Sequence, residues 1–137
     1  MNLSKISYKI ASWSLILVGI GHTITTLLSS PTAVQKEFIV KMQNFSVDIF
    51  GSQTNIYSLH LGFSLMMGLL LFGYGLLSLQ ILKTQQNPTF SVLVLNILIT
   101  LMAVIISQLL FFIIPVLFTS VAMIGFITAL ITKKNYT

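Results

Sequence analysis

Tyr57 to Leu82 reads YSLHLGFSLMMGLLLFGYGLLSLQIL, 26 residues without an Asp, Glu, Lys or Arg. A run of that length fits the hydrocarbon thickness of a bilayer as one α-helix, the structure that satisfies its own backbone polar groups in lipid. The rest of the chain has the same character. Charged residues make up 7% of the 137 and hydrophobic residues 55%, whereas a soluble domain has about a quarter charged residues. So few charges cannot cover a water-facing surface. The composition therefore specifies one integral membrane domain, residues 1–137.

Residues 1–9 are short and basic, with Lys5 and Lys9, and an apolar segment of about 10–28 follows. A basic start and an apolar centre resemble a secretory signal. The segment is long for one, however, and Gly19, Gly21, His22 and several Thr interrupt it. It reads better as a first span, with Tyr8 and Trp13 near the inner interface. The second span is about 56–82. Lys83 to Pro88 is a polar turn, with Asn87 as N-cap and Pro88 as first residue of a third span at about 88–113. A single helix from 88 to 132 would be about 67 Å long at 1.5 Å per residue. A reversal near Ile113–Pro115 and a fourth span at about 115–132 are expected instead.

The one long connection, 29–55, offers two helix starts: Ser30-Pro31, and a Thr32-x-x-Gln35 capping box. Val34, Phe38, Met42, Phe45 and Ile49 recur at helical spacing. They predict a short external amphipathic helix between spans one and two, lying on the membrane or over the bundle mouth. The fold class expected is thus all-α, a transmembrane four-helix bundle. Four spans place both termini on one side, with Lys5, Lys9, Lys83, Lys133 and Lys134. Lys36 and Lys41 lie on the other side with the chain's two acids, Glu37 and Asp48. Five lysines against two predict cytoplasmic termini in a multi-pass protein of the inner membrane.

Net charge is +5, but no basic cluster alternates with aromatics, so nucleic acid is not an expected partner. There is no Cys, which removes disulfides and thiol chemistry. No span holds an acid, Lys or Arg beyond its ends, which argues against ion-coupled transport. No phosphate loop, catalytic triad or His-x-x-x-His pair is present, so an enzyme is disfavoured. Asn96, Thr100 and Ser107 fall on one helical face, expected to point inward and bond neighbouring helices. Ser58-x-x-x-Gly62 and Ser64-x-x-x-Gly68 suggest close packing and mark the second span as the packing centre.

His22 and His60 lie in the outer halves of facing spans. One reading makes His22, His60 and Gln108, with Thr26 and Ser64, the polar end of a site for a small amphiphile or lipid whose tail docks between spans one and two. A second makes His22 and His60 ligands to haem or a divalent metal ion. Helical rise places them about 12 Å and about 8 Å from the outer ends of their spans, so proximity is not assured. A third reading is an oligomeric channel or transporter subunit, or an accessory part of a larger membrane complex.

Gly21-His22-Thr23, Met42 and Phe45 in the loop, Gly51 before a polar cap, and Leu61-Gly62-Phe63-Ser64-Leu65-Met66-Met67-Gly68 together resemble a family of small, uncharacterised four-span bacterial membrane proteins. Its members share a His near the end of span one and a Gly-Phe-Ser-x-x-x-Gly core in span two. The resemblance covers about residues 13–80. It implies the four-span architecture and no particular activity or cofactor, and His60 is not part of the shared pattern.

Overall fold

A computed structural model describes residues 3–85 and 88–133. In chain order the elements are α1 (Leu3–Leu28), α2 (Ala33–Asn44), β1 (Ser46–Ile49), β2 (Ser52–Asn55), α3 (Ile56–Gln85), α4 (Phe90–Leu110) and α5 (Ile113–Ile131). Four helices, α1, α3, α4 and α5, are long and apolar enough to cross a membrane. They form an all-α bundle, as the uncharged runs dictate. α1 and α3 are antiparallel, because Gly19 meets Gly68 while Ser12 meets Gly75. α1 and α5 are antiparallel too: the Ser4 hydroxyl donates to Ala129 O and the Ser14 hydroxyl to Phe118 O, each at 2.8 Å. Lys5, Lys9, Lys83 and Lys133 therefore gather at one end of the bundle, and α2 with the β-strands sits at the other.

The helix boundaries depart from the sequence reading where caps decide them. α1 starts at Leu3, so the basic N-terminal residues belong to the first helix. α2 uses the Thr32–Gln35 capping box, with Thr32 N–H donating to Gln35 Oε1 at 2.8 Å. The Ser30-Pro31 start is not used. α4 is capped by the Thr89 hydroxyl and begins at Phe90 rather than Pro88; Asn87, the expected cap, lies outside the described residues. The reversal into α5 occupies Phe111 and Phe112, both extended. Pro115 then sits in the first turn of α5, where its missing N–H has no helical partner to lose.

The connection departs further. Its helical face was expected to run to Ile49, but the helix ends at Asn44. Ser46–Ile49 pairs antiparallel with Ser52–Asn55 in a two-residue hairpin. Both turn residues have positive φ, 52° at Phe50 and 83° at Gly51, the pattern that matches strand twist. Asp48 Oδ1 accepts from Gly51 N–H at 2.8 Å. Val34, Phe38 and Phe45 stay exposed.

The packing centre also differs. α1, not α3, is the hub: 39% of its spanning window is buried, against 17% for α3. Its small residues explain this. Ser4, Ser7, Ala11 and Ser14 let α5 approach on one face, while Ser12 and Gly19 let α3 approach on another. A Cβ on Gly19 would lie 2.5 Å from Phe72 N and 2.7 Å from Gly68 O, so backbone itself fills that space. Gly62, by contrast, meets nothing within 4 Å, and the Ser58/Gly62 pair packs no helix. α4 rests on α5 and reaches α1 and α3 through long side chains rather than close backbone approach.

Those side chains build the core at the lysine end. Tyr8, Leu15, Leu93, Ala122, Phe126 and Ala129 are fully buried there. Tyr8 was expected at the membrane interface, but it shares a face with Ser4, Ala11 and Leu15, and that face turns inward. Its ring packs edge-on against Phe126 with centroids 5.1 Å apart. Its hydroxyl accepts from Asn96 Nδ2 at 3.1 Å, and the Tyr74 hydroxyl donates to Asn96 Oδ1. Ser78, 1% exposed, lies beside them. The inward face of α4 is as the spacing predicts: Asn96, Thr100 and Ser107 are all buried.

Candidate functional site

The last turns of α1 carry His22, Thr23, Thr25 and Thr26. In lipid a threonine hydroxyl bonds the nearest carbonyl its own helix offers. Thr23 bonds Gly19 O at 2.9 Å, and Thr25 bonds Gly21 O and His22 O, each at 2.9 Å. His22 reaches across instead. Its Nε2 lies 3.0 Å from Ser64 O and 3.0 Å from Ser64 Oγ on α3. Thr26 Oγ1 is 3.4 Å from the same Ser64 Oγ. Three of the five residues singled out in the sequence, His22, Thr26 and Ser64, thus meet at one point between α1 and α3.

Two tautomers fit this geometry. With the proton on Nδ1, Nε2 accepts from the Ser64 hydroxyl; with the proton on Nε2, it donates to Ser64 O, since a backbone carbonyl only accepts. In the second case the remaining nitrogen, Nδ1, is an acceptor. Metal ligation through Nε2 would require giving up the bond to Ser64 in either case.

Gly19 and Gly68 bring the backbones of α1 and α3 together one turn below His22. A Cβ on Gly68 would lie 2.2 Å from Thr23 Oγ1. The seam between these two helices is closed there, and no acyl tail passes through it. The open space lies on the other side of His22, inside the bundle. A cavity of about 170 Å³ is lined by Val18 and His22 of α1, Met67 and Leu71 of α3, and Ala103, Ile106 and Ser107 of α4. Phe111, Pro115 and Thr119 complete the lining of this partly open space. It exists because α3 and α4 do not approach each other closely. At the lysine end Tyr8, Tyr74 and Phe126 fill the same gap; here the fillers are smaller or more flexible. The wall is almost wholly apolar, and the Thr119 hydroxyl is turned to Pro115 O at 2.8 Å.

The other two residues singled out do not join this site. His60 is exposed, one helical turn nearer the hairpin than Ser64, and does not line the cavity. Gln108 is exposed on α4. Its neighbour Ser107 points into the cavity, as expected one step round a helix from an outward residue. Among the described residues no group of three His, Cys, Asp or Glu is placed to hold a metal ion. Sequence reasoning missed Met67, Leu71, Ala103 and Thr119, whose types are those of any apolar helix. The Tyr8–Asn96–Tyr74 network did carry a signal: Ser4, Tyr8, Ala11 and Leu15 follow one another at steps of 4, 3 and 4 residues.

The chain matches no protein-family model, no curated protein and no solved structure.

Proposed function

We propose that this multi-pass membrane protein binds a small amphiphile in the cavity beside His22 and performs no catalysis of its own. The observation that carries the reading is the composition of the wall: four membrane-length helices border a partly open apolar space that one imidazole meets. A volume of about 170 Å³ is close to the ~150 Å³ apolar cavity that admits a benzene ring. It is below the ~300–1,000 Å³ of sites for drug-sized ligands. The part of the ligand that enters is therefore a ring or a short branched chain. A ligand hydroxyl would bond the imidazole nitrogen that Ser64 does not engage, as acceptor or donor according to the tautomer. Orientation follows the lysine asymmetry, with both termini on the cytoplasmic side of the inner membrane.

Fluorobenzyl alcohol, followed by fluorine NMR, tests the reading on protein in nanodiscs of phosphatidylcholine. Wild type should show a saturable shift distinct from the alcohol dissolved in lipid. Ala103→Leu fills the cavity and should abolish it; His22→Phe keeps the space and should weaken it. A signal identical in wild type and Ala103→Leu overturns the reading.

A further inference from the structure

A second concavity lies at the opposite end of α1, on the outside of the bundle. It measures about 830 Å³ and runs along the outer face of α1 beside α5, with Leu82 of α3 also in its wall. Lys5 and Lys9 stand at its mouth, Trp13 follows, and Leu17, Phe118 and Val121 form its apolar depth. The Ser14 hydroxyl in its floor is already turned to Phe118 O, so the groove presents no hydroxyl along its length. From Lys5 to Leu17 is about 18 Å of helix at 1.5 Å per residue. One leaflet of hydrocarbon is about half of ~30 Å. The groove thus runs from the headgroup level to the bilayer midplane.

We infer that this groove is a binding site for one anionic phospholipid of the leaflet at the lysine end. Charge selects the occupant. Lys5 and Lys9 share the mouth one turn apart, and both of the chain's acids, Glu37 and Asp48, lie at the far end of the bundle. Among the described residues no carboxylate lies at this end to neutralise the two ammonium groups, and a phosphate at the headgroup level does so. Basic pockets between spanning helices are suited to anionic headgroups for this reason. The Trp13 ring, 46% exposed, lies two turns deeper than Lys5, about 12 Å at 1.5 Å per residue, and offers the upper part of an acyl chain a flat apolar face. Below it the acyl chain meets Leu17, Leu117, Phe118, Val121 and Ser14, whose hydroxyl is already bonded to Phe118 O. The site is independent of the His22 cavity and stands or falls separately.

The test reconstitutes the full chain into nanodiscs of equal parts phosphatidylcholine and phosphatidylglycerol, and counts lipids retained by native mass spectrometry. Wild type should retain phosphatidylglycerol over phosphatidylcholine by roughly 30-fold, the ratio equivalent to two lysines at about 1 kcal/mol each. Lys5→Gln with Lys9→Gln should bring the ratio near one. Val121→Trp blocks the groove with both lysines intact and should release lipid of either kind. Lys36→Gln with Lys41→Gln, at the other end, should change nothing. Equal retention of the two lipids by wild type overturns the inference. So does an undiminished preference in the Lys5/Lys9 variant. If Val121→Trp fails to fold by circular dichroism, the Lys5/Lys9 variant against the Lys36/Lys41 variant decides alone.

Discussion

The two ends of this bundle solve the same packing problem differently. In both, α3 and α4 stand apart and something must occupy the gap. At the lysine end three aromatic rings fill it, and Asn96 ties two of their hydroxyls together. At the hairpin end Met67, Leu71, Ala103 and Ser107 leave a void with His22 on its wall. The difference separates a layer that carries stability from one that would take the proposed ligand. Apolar helices gain little from hydrophobic burial against one another in lipid, so packing and a few hydrogen bonds hold them. A solid layer supplies these, and an adjacent loose layer is left free to accept a guest.

The comparison breaks most visibly at the solid end. Tyr8→Ala should cost about 3–5 kcal/mol, the range for emptying a buried aromatic site, with a large fall in the midpoint of detergent unfolding. Asn96→Leu should cost less, about 1–3 kcal/mol, since it leaves the Tyr8 and Tyr74 hydroxyls without their shared partner in an apolar layer. A thermal melt in the same detergent checks it, and an unchanged melt would mean that the network contributes nothing to the solid layer. At the loose end the sign should reverse. Ala103→Leu should stabilise by about 0.5–2 kcal/mol, as cavity filling does, and a loss of stability would show that the space is already occupied by moving side chains. Ser64→Ala should cost least, about 0.6 kcal/mol, the average for a hydrogen bond between membrane helices. Infrared or NMR detection of the His22 ring would report the loss of the Oγ contact, while the residue-64 carbonyl still holds Nε2.

The hairpin holds a further contrast, between a turn's backbone and its side chain. Phe50 occupies a left-handed conformation at φ 52° and is wholly exposed, where Asn is the favoured residue before Gly. The run Asp48 to Gln53 carried one turn signal, Gly51, which was legible as a stop. The strands on either side were not. Phe45 and Ile49 also fit the helical spacing of Phe38 and Met42, and four-residue strands are too short to show their own period. Helix α2 was better marked, because the Thr32–Gln35 box names its first turn directly. α1 was legible as a membrane-length helix, but the packing centre was assigned to the second span instead. The serines of α1 look like weak polar interruptions in sequence, whereas in the bundle they are the small residues that let α3 and α5 approach.

For the site, His22, Thr26 and Ser64 were legible because polar residues are few in these spans and must find partners. Their coming together depended on the antiparallel register of α1 and α3, which Gly19 and Gly68 set by backbone contact. His60 and Gln108 are as polar as the others, but their helical phase turns them outward. Phase relative to neighbours is a property of packing, and an all-round apolar helix does not display it: α3 is hydrophobic on every face.

What the sequence by itself determined is the class of object. Its uncharged runs, seven lysines and two acids fix four membrane-length helices and the end at which positive charge collects. Desolvating a charge or a backbone amide in lipid costs more than any packing choice can recover. The tertiary structure alone decided which helix is the hub, which layer is solid, and where the cavity and the lysine-mouthed groove lie. Those follow from small differences in side-chain volume between helices of nearly uniform polarity, and volume acts only when helices meet.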